Sequence, residues 1–289
     1  MITTYFKVPT DMPLDLVGGA YFAYSLRRLS STYTGKLCRV RRDSDNTESD
    51  IGYTLENGLD IPALITFLSG ANGYIVKLYD QSGNGHDISQ STAANQPKIL
   101  LSVVNGLPSL VYVKANSQFL TWTPPAKPAN YSIITAFKIN STAVDSQAPS
   151  GSANLSANKD MWGGILATYF GGNVQAGGLG YTFGDGTNGG GGRTLATGII
   201  SSGVFSVVSQ RYTSGSSNVV MRGNGISYPT DVEGTATSVG GTSYPYYLGK
   251  CYPGTNIDGG ILEHIVYNTA ISDANTTKLE TNLRTYYGI

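Results

Sequence analysis

The chain is short of charge, of cysteine and of histidine. Only 13% of its 289 residues are Asp, Glu, Lys or Arg, about half the share usual in a soluble domain. The 19 basic and 19 acidic residues cancel, so the formal net charge is zero. With no basic stripe and no acidic tail, nucleic acid is not an expected partner. The two cysteines, Cys38 and Cys251, build neither a disulfide framework nor a structural zinc site, and are expected to be unlinked buried thiols. The two histidines, His86 and His264, lie far apart with no Ser or Cys nucleophile pattern, which argues against triad chemistry. No run approaches the roughly 18 apolar residues of a membrane span. Residues 1–11 lack the charged and apolar regions of a signal peptide, so the chain is expected to reach its workplace without one.

Glycine (37) and tyrosine (20) are abundant, as are Ser and Thr, which is the composition of a strand-and-turn protein with a weakly charged surface. Pro9 and Pro13 discourage regular structure, so residues 1–17 are expected to form an extended arm and residues 18–289 one β domain. Ala23, Leu26 and Leu29 recur at helical spacing and predict a short helix within residues 20–31. Alternation then predicts a half-buried strand at 35–42, with Cys38 and Val40 on one face and Arg39 and Arg41 on the other. Further strands are expected at 74–79, 109–113, 119–123, 132–138, 163–168, 204–212, 218–222, 244–249 and 260–267. A closing helix follows: Ser272 serves as its N-cap, Leu279, Leu283 and Tyr286 or Tyr287 form one stripe, and Gly288 ends it. Residues 145–260 hold 26 of the 37 glycines. Strand signals continue on both sides of the Gly runs, which therefore read as wide loops over a sheet.

Residues 20–99 resemble the start of the catalytic domain of B-type α-L-arabinofuranosidases. The match is carried by Ala23-Tyr24-Ser25-Leu26-Arg27, Tyr33-Thr34-Gly35, residues 40–47 (VRRDSDNT) and residues 78–85 (LYDQSGNG). Tyr247-Leu248-Gly249 and residues 257–272 resemble the closing strand and helix of laminin-G-like domains, modules also found in bacteriophage tail and capsid-surface proteins. The resemblance implies a mainly β fold: a concanavalin A-like, jelly-roll antiparallel sandwich with short N- and C-terminal helices.

The chain departs from the arabinofuranosidase pattern at the chemistry. Glycoside hydrolysis uses two carboxyl groups, about 5–5.5 Å apart when the anomeric configuration is retained and about 6.5–9.5 Å apart when it is inverted. The family's acid lies in a Gly- and Asn-rich segment before the last strand; residues 250–256 (KCYPGTN) hold no carboxylate there. The family's adjacent cysteines are also missing. Leu55-Glu56-Asn57-Gly58-Leu59 echoes a family motif, but in the wrong part of the chain. Alternation sets Glu263 on one face with Ile261, Ile265 and Tyr267, opposite His264, where a structural hydrogen-bonding role is expected. Asp273 and Glu280 are expected to be solvated on the closing helix, and Asp258 to form a turn. No catalytic residue is therefore assigned.

Asp80, Gln81, Ser82, Asn84 and Asp87 read as a hydrogen-bonded structural turn. Their oxygens leave Ca²⁺ at Asp80, Asn84 and Asp87 as the single cofactor worth testing. Trp162, Tyr169 and Tyr181 are candidates for stacking on sugar rings, and Trp122 is a weaker one. The resulting expectation is a non-catalytic bacteriophage virion protein, a capsid decoration or tail appendage. Its partners would be other virion proteins and host-surface glycans, without membrane insertion, and a homo-oligomer is left open. The alternative is an extracellular glycoside hydrolase of α-L-arabinofuranosidase type.

Overall fold

Apolar and polar residues alternate over short, glycine-punctuated stretches, so strands dominate the chain. The computed structural model describes residues 11–126, 128–141, 147–154, 160–162, 166–167, 179–184, 191–196, 198–216, 219–228, 231–233, 244–251 and 253–289. Residues 153–154, 160–162, 166–167, 179–184, 191–196 and 231–233 are described by backbone alone. The first strands are β1 (Phe22–Ser25), β2 (Cys38–Arg42), β3 (Glu48–Ile51), β4 (Gly73–Leu78), β5 (Ile88–Ser89), β6 (Lys98–Val104) and β7 (Leu107–Tyr112). Next come β8 (Leu120–Trp122), β9 (Tyr131–Ile139), β10 (Ser150–Asn154), β11 (Asp160–Trp162), β12 (Leu166–Ala167), β13 (Leu179–Gly184) and β14 (Gly191–Ala196). The last are β15 (Ser206–Tyr212), β16 (Val219–Gly223), β17 (Ile226–Tyr228), β18 (Asp231–Glu233), β19 (Tyr246–Leu248) and β20 (Gly259–Tyr267). The α-helices among the described residues are α1 (Pro13–Leu16), α2 (Ile61–Leu68) and α3 (Asp273–Tyr287).

The main sheet runs β11-β10-β19-β8-β5-β4-β6-β7-β20-β9-β15-β16-β17, with β1 attached to β20 and β2–β3 attached through β4. Strands β12-β13-β14-β18 form a second, small sheet, and every pairing between named strands is antiparallel. The main sheet folds back on itself at β6, whose Lys98 pairs with Tyr74 of β4 and Val111 of β7. Between the two layers lies one core cluster, with Phe22, Ile75, Leu120, Ile133, Phe137, Val208 and Val266 among its members. Tyr246 of β19 reaches across it to His264 of β20, Oη to Nε2 at 3.0 Å. A second cluster lies on the outer face of the β20 layer, where Ile134, Ala136, Val207 and Ile265 meet Leu279 and Leu283 of α3.

β20 is the centre of this arrangement, and all nine of its residues are buried. Burial on both faces explains why its sequence shows little alternation. Gly259 has no Cβ, and one placed there would collide with the Lys138 carbonyl of β9, so glycine permits the close approach of the two strands. A bulge between Ile261 and Glu263 shifts the register against β9. Leu262 is the extra residue, and Ile261 therefore turns into the inner cluster while Ile265 and Tyr267 face α3. The expectation that Ile261 shares the face of Glu263 is corrected by that bulge.

The N-terminal region also differs from its reading. Residues 22–25 are a strand, not part of a helix: Phe22 pairs with Val266 and Ser25 with Glu263, and all four residues are buried. Completing the β20 ladder outweighs a helical spacing of three apolar residues. The described end of the expected arm is folded rather than extended. Residues 13–16 form α1, Leu14 N–H bonds Leu29 O, and Tyr267 Oη donates to Val17 O. Pro13 starts that turn instead of preventing it, because its missing N–H is unpaired at a helix start anyway. α2 was not foreseen; Asp60 caps it by accepting from Ala63 N–H, with Pro62 in its first turn.

α3 forms as read, capped by Ser272 and ended by Gly288 in the left-handed region. Leu279, Leu283 and Tyr287 are buried and Lys278 is exposed. Leu283→Ala is expected to cost about 2–5 kcal/mol of unfolding free energy, whereas Lys278→Ala should change it by less than about 0.5 kcal/mol. Urea unfolding of the two variants measures both; equal, small effects would mean that α3 does not pack on the sheet.

Candidate functional site

Each of the three buried carboxylates with a described side chain, Asp80, Glu263 and Glu280, is surrounded by donors. Glu263 Oε2 accepts from Arg27 Nε at 2.7 Å, Ser25 Oγ at 3.1 Å and Tyr287 Oη at 3.1 Å. Its Oε1 accepts from Arg27 Nη2 at 3.0 Å, and the same nitrogen donates to Asn282 Oδ1 at 2.8 Å. The guanidinium lies 4.1 Å from the centroid of the Tyr286 ring. The side chains of Arg27 and Glu263 are 4% and 0% exposed. A carboxylate so enclosed cannot meet a glycosidic oxygen, and its role here is structural.

Glu280 was read as solvated, and that reading is corrected. It is buried, paired with Arg222 Nη2 at 3.0 Å, and accepts from Ser209 Oγ. Its place on α3 turns it onto β15 and β16, and Arg222 follows it there. Asp273 remains exposed and pairs with Arg211 at 2.6 Å.

Asp80 organises the turn after β4. Its Oδ1 accepts from the N–H groups of Ala23 and Ser82, both at 2.9 Å, and its Oδ2 from Ser82 Oγ at 2.7 Å and His86 N–H at 3.0 Å. Asp87 accepts Asp80 N–H at 3.0 Å and Lys77 Nζ at 3.3 Å. Asn84 Nδ2 donates to the carbonyls of Ala20 and Tyr21, and Gln81 ties Leu29 N–H to Arg27 O. These carboxylate oxygens accept from N–H and O–H donors, the pattern of a hydrogen-bonded turn. Among the described residues no cluster of three or more His, Cys, Asp or Glu side chains is placed to hold a metal.

The turn also walls an open cleft of about 390 Å³, lined in part by Ser30, Thr32, Tyr33, Gln81, Ser82 and Gly83. Its lining offers hydroxyls and amides but no carboxylate. Such a surface can bind a neutral polar ligand and cannot supply acid catalysis. Glu56 sits in an exposed turn beside a fully exposed Leu55. Cys38 and Cys251 are buried free thiols, and burial pushes the Cys38 thiol up to about 12.

Of the aromatic candidates, Trp122 is half-buried and packed, stacked on His86 at 4.3 Å between ring centroids. Trp162 lies on β11 and Tyr181 on β13, two strands in contact. Their side chains, and Tyr169 altogether, lie outside the described residues. The Arg27 partnership was missed because Arg27 was assigned to a helix. Its signal was Glu263 itself, a carboxylate within a strongly apolar strand, which calls for buried donors.

These layers define a concanavalin-like β-sandwich. The model for the catalytic domain of α-L-arabinofuranosidase B matches residues 18–100. A GH54 α-L-arabinofuranosidase soaked with a cyclic sulfate inhibitor superposes on 96% of this chain with a TM-score of 0.68 at 16% identity. A mutant GH54 enzyme soaked with 4-nitrophenyl α-L-arabinofuranoside gives 0.69 at 17% identity over the same 96%. An arabinofuranosidase complexed with arabinofuranosyl-α-1,2-xylobiose gives 0.63 at 15% identity, again over 96% of this chain. In each case the chain spans 65% of the solved chain's length. A search of curated protein sequences finds no match. The expectation of a bacteriophage virion protein is corrected by these findings. The shared strand, turn and closing-helix motifs belong to the sandwich and occur in carbohydrate enzymes, so they did not specify a virion role.

Two predictions follow from the buried polar groups. Glu263→Gln leaves the Arg27 charge buried without its counter-ion and is expected to cost about 3–5 kcal/mol. Arg27→Met combined with Glu263→Leu should recover much of that loss; chemical denaturation of the single and double variants measures it. His264 is held by Thr135 Oγ1 at 2.8 Å and Tyr246 Oη at 3.0 Å, and burial lowers its pKa from 6.5 to about 3. The unfolded chain therefore takes up this proton first as pH falls. The contribution of His264 is complete above pH 6.5 and is lost progressively towards pH 3, by about 1.4 kcal/mol per pH unit. Unfolding free energies measured across that window should lose this slope in His264→Gln.

Proposed function

We propose that this chain is a glycoside hydrolase domain acting on α-L-arabinofuranosidic bonds. The supporting observation is the superposition on α-L-arabinofuranosidases over 96% of the chain, joined to the family-model match over residues 18–100. The buried carboxylates Asp80, Glu263 and Glu280 are saturated by protein donors. The pair of carboxyl groups that hydrolysis needs is therefore sought among the other 16 of the chain's 19 acidic residues, of which Asp145, Asp160, Asp185, Asp231 and Glu233 have side chains outside the described residues. An arabinose-containing polysaccharide is met outside the cell, and the domain is placed there. Its two thiols are buried, which suits an oxidising medium.

The test is release of 4-nitrophenol from 4-nitrophenyl α-L-arabinofuranoside, with the β-D-xyloside as control. Turnover is expected for the arabinofuranoside alone. It should fall about 10²-fold or more in Asn or Gln variants of two of those 16 acids, and persist in any Glu263→Gln protein that stays folded. Binding of the arabinofuranoside without release of 4-nitrophenol would remove the hydrolase and leave a sugar-binding domain.

A further inference from the structure

Lys250 follows β19 and is held by aromatic rings. Its Nζ stands 3.4 Å from the centroid of the Phe119 ring and 4.4 Å from that of Tyr247. The two rings meet edge to face, with centroids 5.6 Å apart at 80°. Antiparallel pairing of β8 with β19, Leu248 opposite Leu120 and Tyr247 opposite Thr121, fixes the backbone beneath both rings. All three side chains are half-buried. Burial lowers the Lys250 pKa, and no carboxylate contributes to the shift. Among the described residues the ammonium has no ion-pair partner and donates to no oxygen.

An ammonium carries three N–H donors and no acceptor. Ring faces attract it by about 0.5–2 kcal/mol but satisfy none of those donors as an oxygen would. The cation is thus held in place and partly stripped of water. An anion arriving there meets a donor whose side-chain ordering is already complete. One ammonium matches a compact monoanion. A phosphate or sulfate group is usually met by an arginine fork or a row of backbone N–H groups, and Lys250 stands with two rings instead.

We infer that Lys250, Phe119 and Tyr247 form a subsite for the carboxylate of a uronic acid residue in a glycan; the sugar part of this assignment rests on the carbohydrate-directed function proposed above. The domain would then take arabinofuranosyl groups on acidic polysaccharides in preference to neutral ones.

The experiment compares methyl β-D-glucuronide with methyl β-D-glucoside, which differ only in the carboxylate, by NMR titration of the full chain, with sodium acetate as a third probe. Wild type should bind the glucuronide about tenfold more tightly than the glucoside. Lys250→Met, which keeps the apolar stem, should erase that difference without lowering the melting temperature, and Phe119→Leu should reduce it. Equal affinities in wild type, absent glucuronide binding, or glucuronide binding unchanged in Lys250→Met would each overturn the subsite. Acetate binding as tightly as the glucuronide would reject a sugar ligand. Turnover of the neutral 4-nitrophenyl α-L-arabinofuranoside in the same preparations reports on the hydrolase separately, so either reading can fail alone.

Discussion

Arg27 and Glu263 lie 236 residues apart in sequence and meet in the interior as a bidentate pair. Removing both charges from water costs several kcal/mol per ion, and the pair is tolerable only when the remaining donors and acceptors are also satisfied. That requirement recruits Ser25 from β1, Tyr287 and Asn282 from α3, and the ring of Tyr286 over the guanidinium. Asn282 in turn donates to Asp11 O and so holds the start of the described chain. One ion pair therefore fixes how β1, β20 and α3 meet, and the outer core cluster closes around it.

A second polar frame lies on the other side of β1. The Asp80 carboxylate gathers Ala23, Ser82 and His86 N–H groups into one turn, and Tyr24 Oη donates to His86 O. Gln81 extends the frame to residues 27–29. Ala23, Asp80 and Gln81 are buried, Ser82 and His86 half-buried, and an unpaired buried polar group costs about 1–3 kcal/mol, so these bonds hold the turn in this arrangement. The residues that match the arabinofuranosidase model, 18–100, include both Arg27 and this turn. What the match records is therefore a scaffold.

Much of the sandwich was legible in the sequence. β2, β4, β7, β8, β9, β15, β16, β19 and β20 fall within or beside the strands read from alternation, and α3 was bounded correctly by Ser272 and Gly288. β1, β5 and α2 were not. β1 has both faces covered and shows no alternation, so three apolar residues at helical spacing misled its reading. β5 is two residues long and carries no periodic signal, and α2 is an apolar run whose only local sign is the Asp60-Ile61-Pro62 start. The bulge at Leu262 reversed the facing of Ile261, a one-residue event that period-two counting cannot register. At the site, the turn around Asp80 was read from its Asp, Ser, Asn and Gly content. The partners of Glu263 and Glu280 were not, because ion pairs between distant segments leave no local pattern. The same holds for the Lys250 clamp, since only Tyr247 is near it in sequence.

The central claim is that this fold carries arabinofuranoside hydrolysis on carboxylates other than the sealed Glu263. It is tested most directly by incubating the domain with an arabinofuranose-configured cyclic sulfate, which an attacking carboxylate opens to a covalent ester, and locating the adduct by peptide mass spectrometry. The account predicts one labelled carboxylate other than Asp80, Glu263 and Glu280. A label on Glu263, or no label on any residue, would contradict it.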